Sequence, residues 1–173
     1  MDRISTQVSG MRDQAAALRT AGEHKAAADL DAQAVDQEAQ DPAIMQASRL
    51  LMSGQLAQAE AIVRPLLTRA PTNVAALCIL GEIAVRLGIY AEAQRLFRDA
   101  IAVSPDFADA KTNLARALFR TSDFDAGLSL LDEVLALDPR HRAALSTKLA
   151  TLGQIGAYDR SLAAHEHALT QQP

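Results

Sequence analysis

The chain has few of the residues that build sheets, disulfides or membrane spans. Aromatic residues make up 3% of its 173 residues, and cysteine occurs once, at Cys78. The low aromatic content argues against a sheet protein, and a single cysteine excludes an intramolecular disulfide. No run of about 18 apolar residues occurs, and the amino terminus lacks the apolar segment of a secretion signal. We therefore expect a cytoplasmic protein that does not cross a membrane.

Charge and motif content exclude several further classes of function. The net charge is -4 and no polybasic stretch is present, so nucleic acid is not the expected ligand. His165 and His167 are two residues apart, which on a helix separates their side chains too far to share a metal ion. Glycine-rich phosphate loops and paired cysteines are lacking. The sequence predicts no catalytic residue, no metal and no cofactor, and we expect the chain itself not to be an enzyme.

A regular spacing dominates what is present. Pro71, Pro105, Pro139 and Pro173 follow one another every 34 residues. Between them, alanine and leucine recur at helical spacing, and each proline marks the turn after a helix. This pattern predicts an all-α protein made of repeated helix pairs.

The unit 74–107 shows the repeat most clearly. Leu80 and Gly81 stand at its seventh and eighth positions, Tyr90 at the seventeenth, Ala93 at the twentieth and Pro105 at the thirty-second. This arrangement resembles the tetratricopeptide repeat (TPR). The resemblance implies an α-solenoid of antiparallel helix pairs, a right-handed superhelix in which small residues sit where paired helices cross.

The same register extends to neighbouring units. It predicts repeat units at 40–73, 74–107, 108–141 and 142–173, the last ending without a capping helix. Residues 1–39 are alanine-rich and are interpreted as a degenerate helical hairpin that caps the amino-terminal end of the array. A coiled-coil arm is the alternative for this segment, because its larger apolar residues also follow helical spacing.

In tetratricopeptide arrays the first helix of each pair lines a concave groove. Transferred to this chain, the resemblance implies an apolar start of the groove followed by arginines in the middle, where Arg116, Phe119 and Arg120 resemble a site for a carboxylate. The candidate groove residues are Leu51, Met52, Cys78, Glu82, Val85, Arg86, Asp109, Thr112, Asn113, Arg116, Phe119 and Arg120. For Cys78, inert packing is the preferred interpretation, since no charge pattern near it lowers the pKa of its thiol.

These observations favour a protein-protein interaction scaffold that binds a protein or peptide with an acidic feature in the groove. The alternative is a targeting or substrate-presenting module of a larger enzyme. In that context residues 75–84 resemble the amino-terminal arrays of bacterial TPR-sulfotransferase proteins. A homodimer is a third possibility, formed through the amino-terminal helices or through an apolar face of the last unit. That face is predicted to contain Leu145, Leu149, Leu152 and Leu169.

Overall fold

The computed structural model describes the backbone of residues 3–170 and the side chains of residues 5–156. Over this range the chain forms helices without any strand, which confirms the all-α solenoid. The helices are α1 (Arg3–Thr20), α2 (His24–Ala39), α3 (Pro42–Met52), α4 (Leu56–Arg69), α5 (Val74–Arg86), α6 (Tyr90–Val103), α7 (Ala108–Phe119), α8 (Phe124–Leu137) and α9 (Arg142–Thr170).

Small residues allow the paired helices to approach closely. A Cβ atom built on Gly81 in α5 would lie 2.6 Å from Cε1 of Phe97 in α6, and one on Gly127 in α8 would collide with the ring of Phe119 in α7. Ala93 and Phe97 are both fully buried at the α5–α6 crossing. The crossing therefore needs a residue without a side chain on one helix and an aromatic ring on the other.

Tight turns connect the helices within each pair. Gly22, Gly54 and Gly88 adopt positive φ angles of 82°, 78° and 76°, which glycine tolerates without strain. The corresponding position before α8 is Ser122, with φ of 63°. Its turn is closed by the amide of Asp123, which donates to the carbonyl of Leu118 at 3.0 Å. The sequence of this unit does not predict that a serine adopts a positive φ angle here.

Two residues that depart from the repeat pattern are accommodated locally. Pro65 lies inside α4, yet the helix continues to Arg69, and the proline ring is on the exposed side. Lys111 is largely buried between α7 and α8, where its Nζ donates to Oε2 of Glu133 at 2.7 Å. The lysine stem thus fills an apolar position while its charge reaches a carboxylate at the surface.

The last unit differs from the predicted helix pair. α9 is one continuous helix of 29 residues, and the turn predicted near Gly156 does not form. Leu149 occupies the repeat position at which paired helices cross, and the same position is Gly81 in α5 and Ala115 in α7. A second helix packed on α9 as in the other units would therefore meet the Leu149 side chain. Leu145, Leu149 and Leu152 are 38%, 68% and 43% exposed, whereas the side chain of Leu169 lies outside the described residues.

The amino-terminal hairpin also takes a position that the sequence did not predict. α1 and α2 pack along each other, but α2 lies against the amino-terminal end of α5 and the loop before α7 instead of extending the stack beyond α3 and α4. Two arginines of α1 tie the hairpin to the loops between units: Arg12 reaches Ser104, and Arg19 reaches Asp106. The hairpin is therefore neither an end cap nor a separate arm.

Candidate partner-binding groove

The predicted groove residues divide into exposed, half-buried and buried groups. Met52 is 82% exposed, and Arg86, Asp109, Arg116 and Arg120 are exposed as well. The half-buried group comprises Cys78, Glu82, Val85, Asn113 and Phe119, and the buried group comprises Leu51 and Thr112. Helices α3, α5 and α7, with the residue that ends α7, carry all of these side chains.

Glu82 is the carboxylate that the groove arginines share. Its Oε1 accepts from Nε of Arg86 at 3.3 Å, and its Oε2 lies 3.9 Å from Nη1 of Arg116. Nη1 of Arg86 also donates to the carbonyl of Leu51 at 2.7 Å. This carbonyl belongs to the last turn of α3, where a cation is favoured by the helix dipole. Arg86 is thus held between two helices by contacts within the chain.

Arg116 and Arg120 point to different partners. Nη1 of Arg116 donates to Oδ1 of Asn113 at 3.2 Å. Nε and Nη2 of Arg120 both donate to the hydroxyl of Tyr90, at 3.1 and 3.0 Å, and the guanidinium carbon lies 5.5 Å from the Tyr90 ring centroid. Arg86, Arg116 and Arg120 lie along a strip on α5 and α7, with Arg120 turned towards α6.

A polar cleft lies between α7 and α9. It has a volume of about 530 Å³ and is lined by Asp109, Thr112, Asn113, Arg116, Ala143, Ser146 and Thr147. Beside it, Nε2 of His141 lies 3.3 Å from Oδ1 of Asp109, and Nδ1 of His141 accepts from the amide of Ala144 at 3.2 Å. A neutral imidazole with its proton on Nε2 fits both contacts. Asp109 therefore keeps its negative charge beside the arginines, and it lines the same cleft as Arg116.

The polar groups of half-buried Cys78 and buried Thr112 do not face the groove as free contacts. Burial raises the pKa of the Cys78 thiol to about 12, with further contributions from the charges of Asp109 and Glu38. The thiol thus stays protonated at neutral pH and is not a nucleophile. The Thr112 hydroxyl donates to the carbonyl of Ala108 at 2.8 Å within its own helix. Neither side chain is placed to form a polar contact with a bound partner.

Sequence reasoning missed several groove residues. The repeat pattern marks Tyr90 only as a space-filling aromatic, although its hydroxyl holds Arg120. His141 was not predicted to lie at the groove, since a residue in a short turn between repeats carries no distinctive motif. Within residues 5–156 no group of three or more potential ligands could hold a metal ion. Across the described helices, none is long and apolar enough to cross a membrane.

Family models match the region that contains these helix pairs. One model described as a tetratricopeptide repeat matches residues 84–152, and a second with the same description matches residues 44–93. The chain belongs to the tetratricopeptide repeat family. A search of curated proteins found no significant match.

Solved structures with the TPR fold resemble this chain over most of its length. A thermophilic TPR protein of Thermus thermophilus has 24% identity and a TM-score of 0.59, with 96% of this chain and 92% of that chain covered. MamA has 17% identity and a TM-score of 0.59, with 90% and 92% covered. At these identities the likeness shows the fold alone.

A mutant of the O-GlcNAc transferase of Thermobaculum terrenum is similar to part of this TPR chain. The identity is 28% and the TM-score is 0.62, and the match covers 70% of this chain. It covers 22% of the transferase chain, so this chain corresponds to less than a quarter of that enzyme.

Proposed function

We propose that this TPR protein is an interaction scaffold whose concave groove binds an acidic segment of a partner protein. The observation that carries the proposal is the charge of the strip along α5 and α7. Three arginines, Arg86, Arg116 and Arg120, lie there with two carboxylates, Glu82 and Asp109. The strip therefore has an excess of positive charge in a protein whose net charge is -4. Such a local excess attracts acidic partners.

Arg116 supplies the donors for a carboxylate of the partner. Its contacts with Asn113 and Glu82 both use Nη1. The edge formed by Nε and Nη2 remains available for a two-point contact with a carboxylate, which is the geometry that arginine forms best. Met52 and Val85 offer an apolar contact nearby on α3 and α5. An acidic residue next to a leucine-like anchor is the partner feature that fits this arrangement.

Fluorescence anisotropy with defined peptides tests the proposal. The probes are fluorescein-labelled peptides of about twelve residues that combine glutamate or aspartate with leucine, together with matched peptides that carry glutamine and asparagine. We expect the acidic peptides to bind more tightly, and their affinity to fall as salt rises. The double variant Arg116→Glu/Arg120→Glu should bind them at least about tenfold more weakly.

A variant of equal charge change serves as the control. Arg64→Glu/Arg98→Glu alters the exposed faces of α4 and α6 and should leave peptide affinity nearly unchanged. Circular dichroism establishes that both double variants are folded. Equal affinity of wild type and Arg116→Glu/Arg120→Glu, or equal affinity for acidic and neutral peptides, refutes the site.

A second candidate function is a module within a larger enzyme. The similarity to a transferase of which the match covers 22% favours it, whereas the sulfotransferase version rests only on the resemblance of residues 75–84. A catalytic domain encoded downstream in the same reading frame would support this candidate.

A homodimer through the exposed leucines of α9 is a separate proposal, which a measurement of the mass in solution tests. A cytoplasmic location is a further proposal, which cell fractionation tests.

A further inference from the structure

Two arginines on one face of α1 fasten the amino-terminal hairpin to the body of the solenoid. Nη2 of Arg12 donates to Oε1 of Glu38 at 2.7 Å, its Nη1 to the carbonyl of Thr72 at 3.2 Å and its Nε to Oγ of Ser104 at 3.3 Å. Every nitrogen of this guanidinium is thus used. Thr72 and Ser104 lie in the loops before α5 and α7, so one side chain joins two successive units.

Arg19 makes the corresponding connection two turns further along α1. Its Nε donates to Oδ2 of Asp106 at 2.6 Å, and its Nη2 donates to Oδ2 of Asp31. Asp31 is fully buried, and Glu38 is 6% exposed. Both carboxylates belong to α2 and are seven residues apart, which places them on the same face of that helix.

The two carboxylates of α2 also bind backbone amides of the body. Oε2 of Glu38 accepts from the amide of Ala75 in the first turn of α5 at 3.1 Å. Oδ2 of Asp31 accepts from the amide of Asp106, just before α7, at 3.0 Å. Amides at the start of a helix lack partners within the helix and favour a negative charge. The amides of Ala75 and Asp106 therefore form two anion-accepting positions whose spacing fits a helix with carboxylates two turns apart.

Little apolar surface reinforces this contact. The buried apolar side chains of α2 are Ala27, Ala34 and Val35, and only Val35 joins the core cluster that extends from α3 to α7. Oδ1 of Asp31 is buried without a hydrogen-bond partner, and Glu23, the residue before α2, makes no side-chain cap. A buried oxygen without a hydrogen bond lowers the stability of the fold, and a buried ion pair adds little to stability because both charges lose their hydration. The hairpin is thus held by polar contacts that another helical hairpin with matching carboxylates and arginines could replace.

We propose that the loop edge, defined by Thr72, Ala75, Ser104 and Asp106, is a second docking surface that accepts a helical hairpin of a partner, with two carboxylates on one helix and two arginines on the other, and that it is closed in this structure by the chain's own α1–α2 hairpin. The partner segment presents two carboxylates seven residues apart, with small or β-branched residues between them. This surface differs from the arginine strip, which α2 leaves open. Displacement of the hairpin would add the adjoining part of α5, including Cys78, to the accessible groove.

Cys78 reports whether the hairpin is displaced, because it is the only cysteine of the chain. Burial and the nearby Glu38 carboxylate suppress its reactivity in the closed form. In Arg12→Glu/Arg19→Glu the contacts of α1 with Thr72, Ser104 and Asp106 are lost, and the new carboxylate at position 19 repels Asp106, so the hairpin is held less tightly. We expect the rate of Cys78 modification by a disulfide reagent to rise about tenfold or more. The equally charged Arg64→Glu/Arg98→Glu should react at the wild-type rate.

Binding in trans tests the chemistry of the surface. The probe is a fluorescein-labelled peptide of residues 1–40, which supplies its own arginines and carboxylates. The opened variant Arg12→Glu/Arg19→Glu should bind this peptide at least about tenfold more tightly than the wild type, in which the surface is occupied. Bound peptide should also slow the modification of Cys78 again. A peptide carrying Asp31→Asn and Glu38→Gln should bind about tenfold or more weakly.

Several results would overturn the proposal. An unchanged Cys78 rate in the opened variant, with its helical circular dichroism intact, would show that the hairpin does not cover the surface by these contacts. Equal binding of the acidic and neutral peptides would remove the selection for carboxylates. A doubled mass in solution for the opened variant would assign the surface to a second copy of the chain. Should the charge reversal prevent folding, Arg12→Gln/Arg19→Gln replaces it with the same expected directions.

Discussion

Replacement of Gly81 by alanine tests the packing on which the solenoid depends. The added Cβ would lie 2.6, 2.8 and 3.0 Å from three ring carbons of Phe97. Phe97 is fully buried at the α5–α6 crossing, so its ring cannot turn away into solvent. Overpacking of this kind costs about 1–3 kcal/mol, and the better helix propensity of alanine offsets about 0.5–1 kcal/mol. We expect Gly81→Ala to lower the free energy of unfolding by about 0.5–2 kcal/mol.

Gly153→Ala is the matched control. This glycine is also helical, in α9, but a Cβ on it would meet nothing within 4 Å. Only the propensity gain applies, so the variant should be more stable than the wild type by about 0.5–1 kcal/mol. Urea unfolding followed by circular dichroism measures both changes. If Gly81→Ala is as stable as Gly153→Ala, the close crossing of α5 and α6 is wrong.

Two further changes act elsewhere in the chain. Burial raises the pKa of Glu38 above 4.5, so the folded state binds the proton more tightly than the unfolded state, and the contribution of Glu38 to stability falls as the pH rises through its folded-state pKa. The free energy of unfolding measured in urea should therefore favour the wild type over Glu38→Gln more at pH 4.5 than at pH 7. An advantage of the wild type that grows with pH would contradict this. Pro65→Ala should raise the free energy of unfolding by about 1–3 kcal/mol, because an exposed proline in the interior of α4 removes a helix hydrogen bond, and a lower melting temperature for this variant would refute the reasoning.

The repeating core could be predicted from the sequence because its determinants are local. The spacing of Pro71 and Pro105 fixes the length of a unit, and Gly81 with Phe97 marks the crossing of its two helices. Glycine at a positive φ angle marks the turns, whereas Ser122 takes the same conformation without a sequence signal. The prolines and the positive-φ turn positions from Gly54 to Ser122 recur every 34 residues, so the length of the unit and the place of its turns follow from the sequence.

The position of the amino-terminal hairpin could not be predicted in the same way. It depends on contacts between residues far apart in sequence, such as Arg19 with Asp106 and Arg12 with Ser104. Two arginines seven residues apart on a helix do not predict such contacts, because the same spacing is typical of a helix face exposed to solvent. The same limit applies to the groove, where the residues were chosen by repeat position but the partner of Arg120 proved to be Tyr90.

The last unit shows how a pattern can persist without its structure. The glycine and aromatic positions of a turn recur around Gly156, and the backbone nevertheless remains helical through Thr170. Leu149 stands at the crossing position that Gly81 has in α5, and a side chain of this size keeps a second helix from approaching as closely. A repeat register therefore predicts where helices begin more reliably than it predicts that a pair will close.

The most direct measurement is an NMR titration of the full chain, labelled with ¹⁵N at arginine, with an acidic leucine-containing peptide. The account predicts that the Nε–Hε signals of Arg116 and Arg120 shift together with increasing peptide, and that the neutral matched peptide leaves them in place. The signals of Arg64 and Arg98 on α4 and α6 serve as internal references and should not move. Shifts confined to Arg64 and Arg98, or no shift at Arg116 with a peptide that binds, would contradict the groove as the binding site.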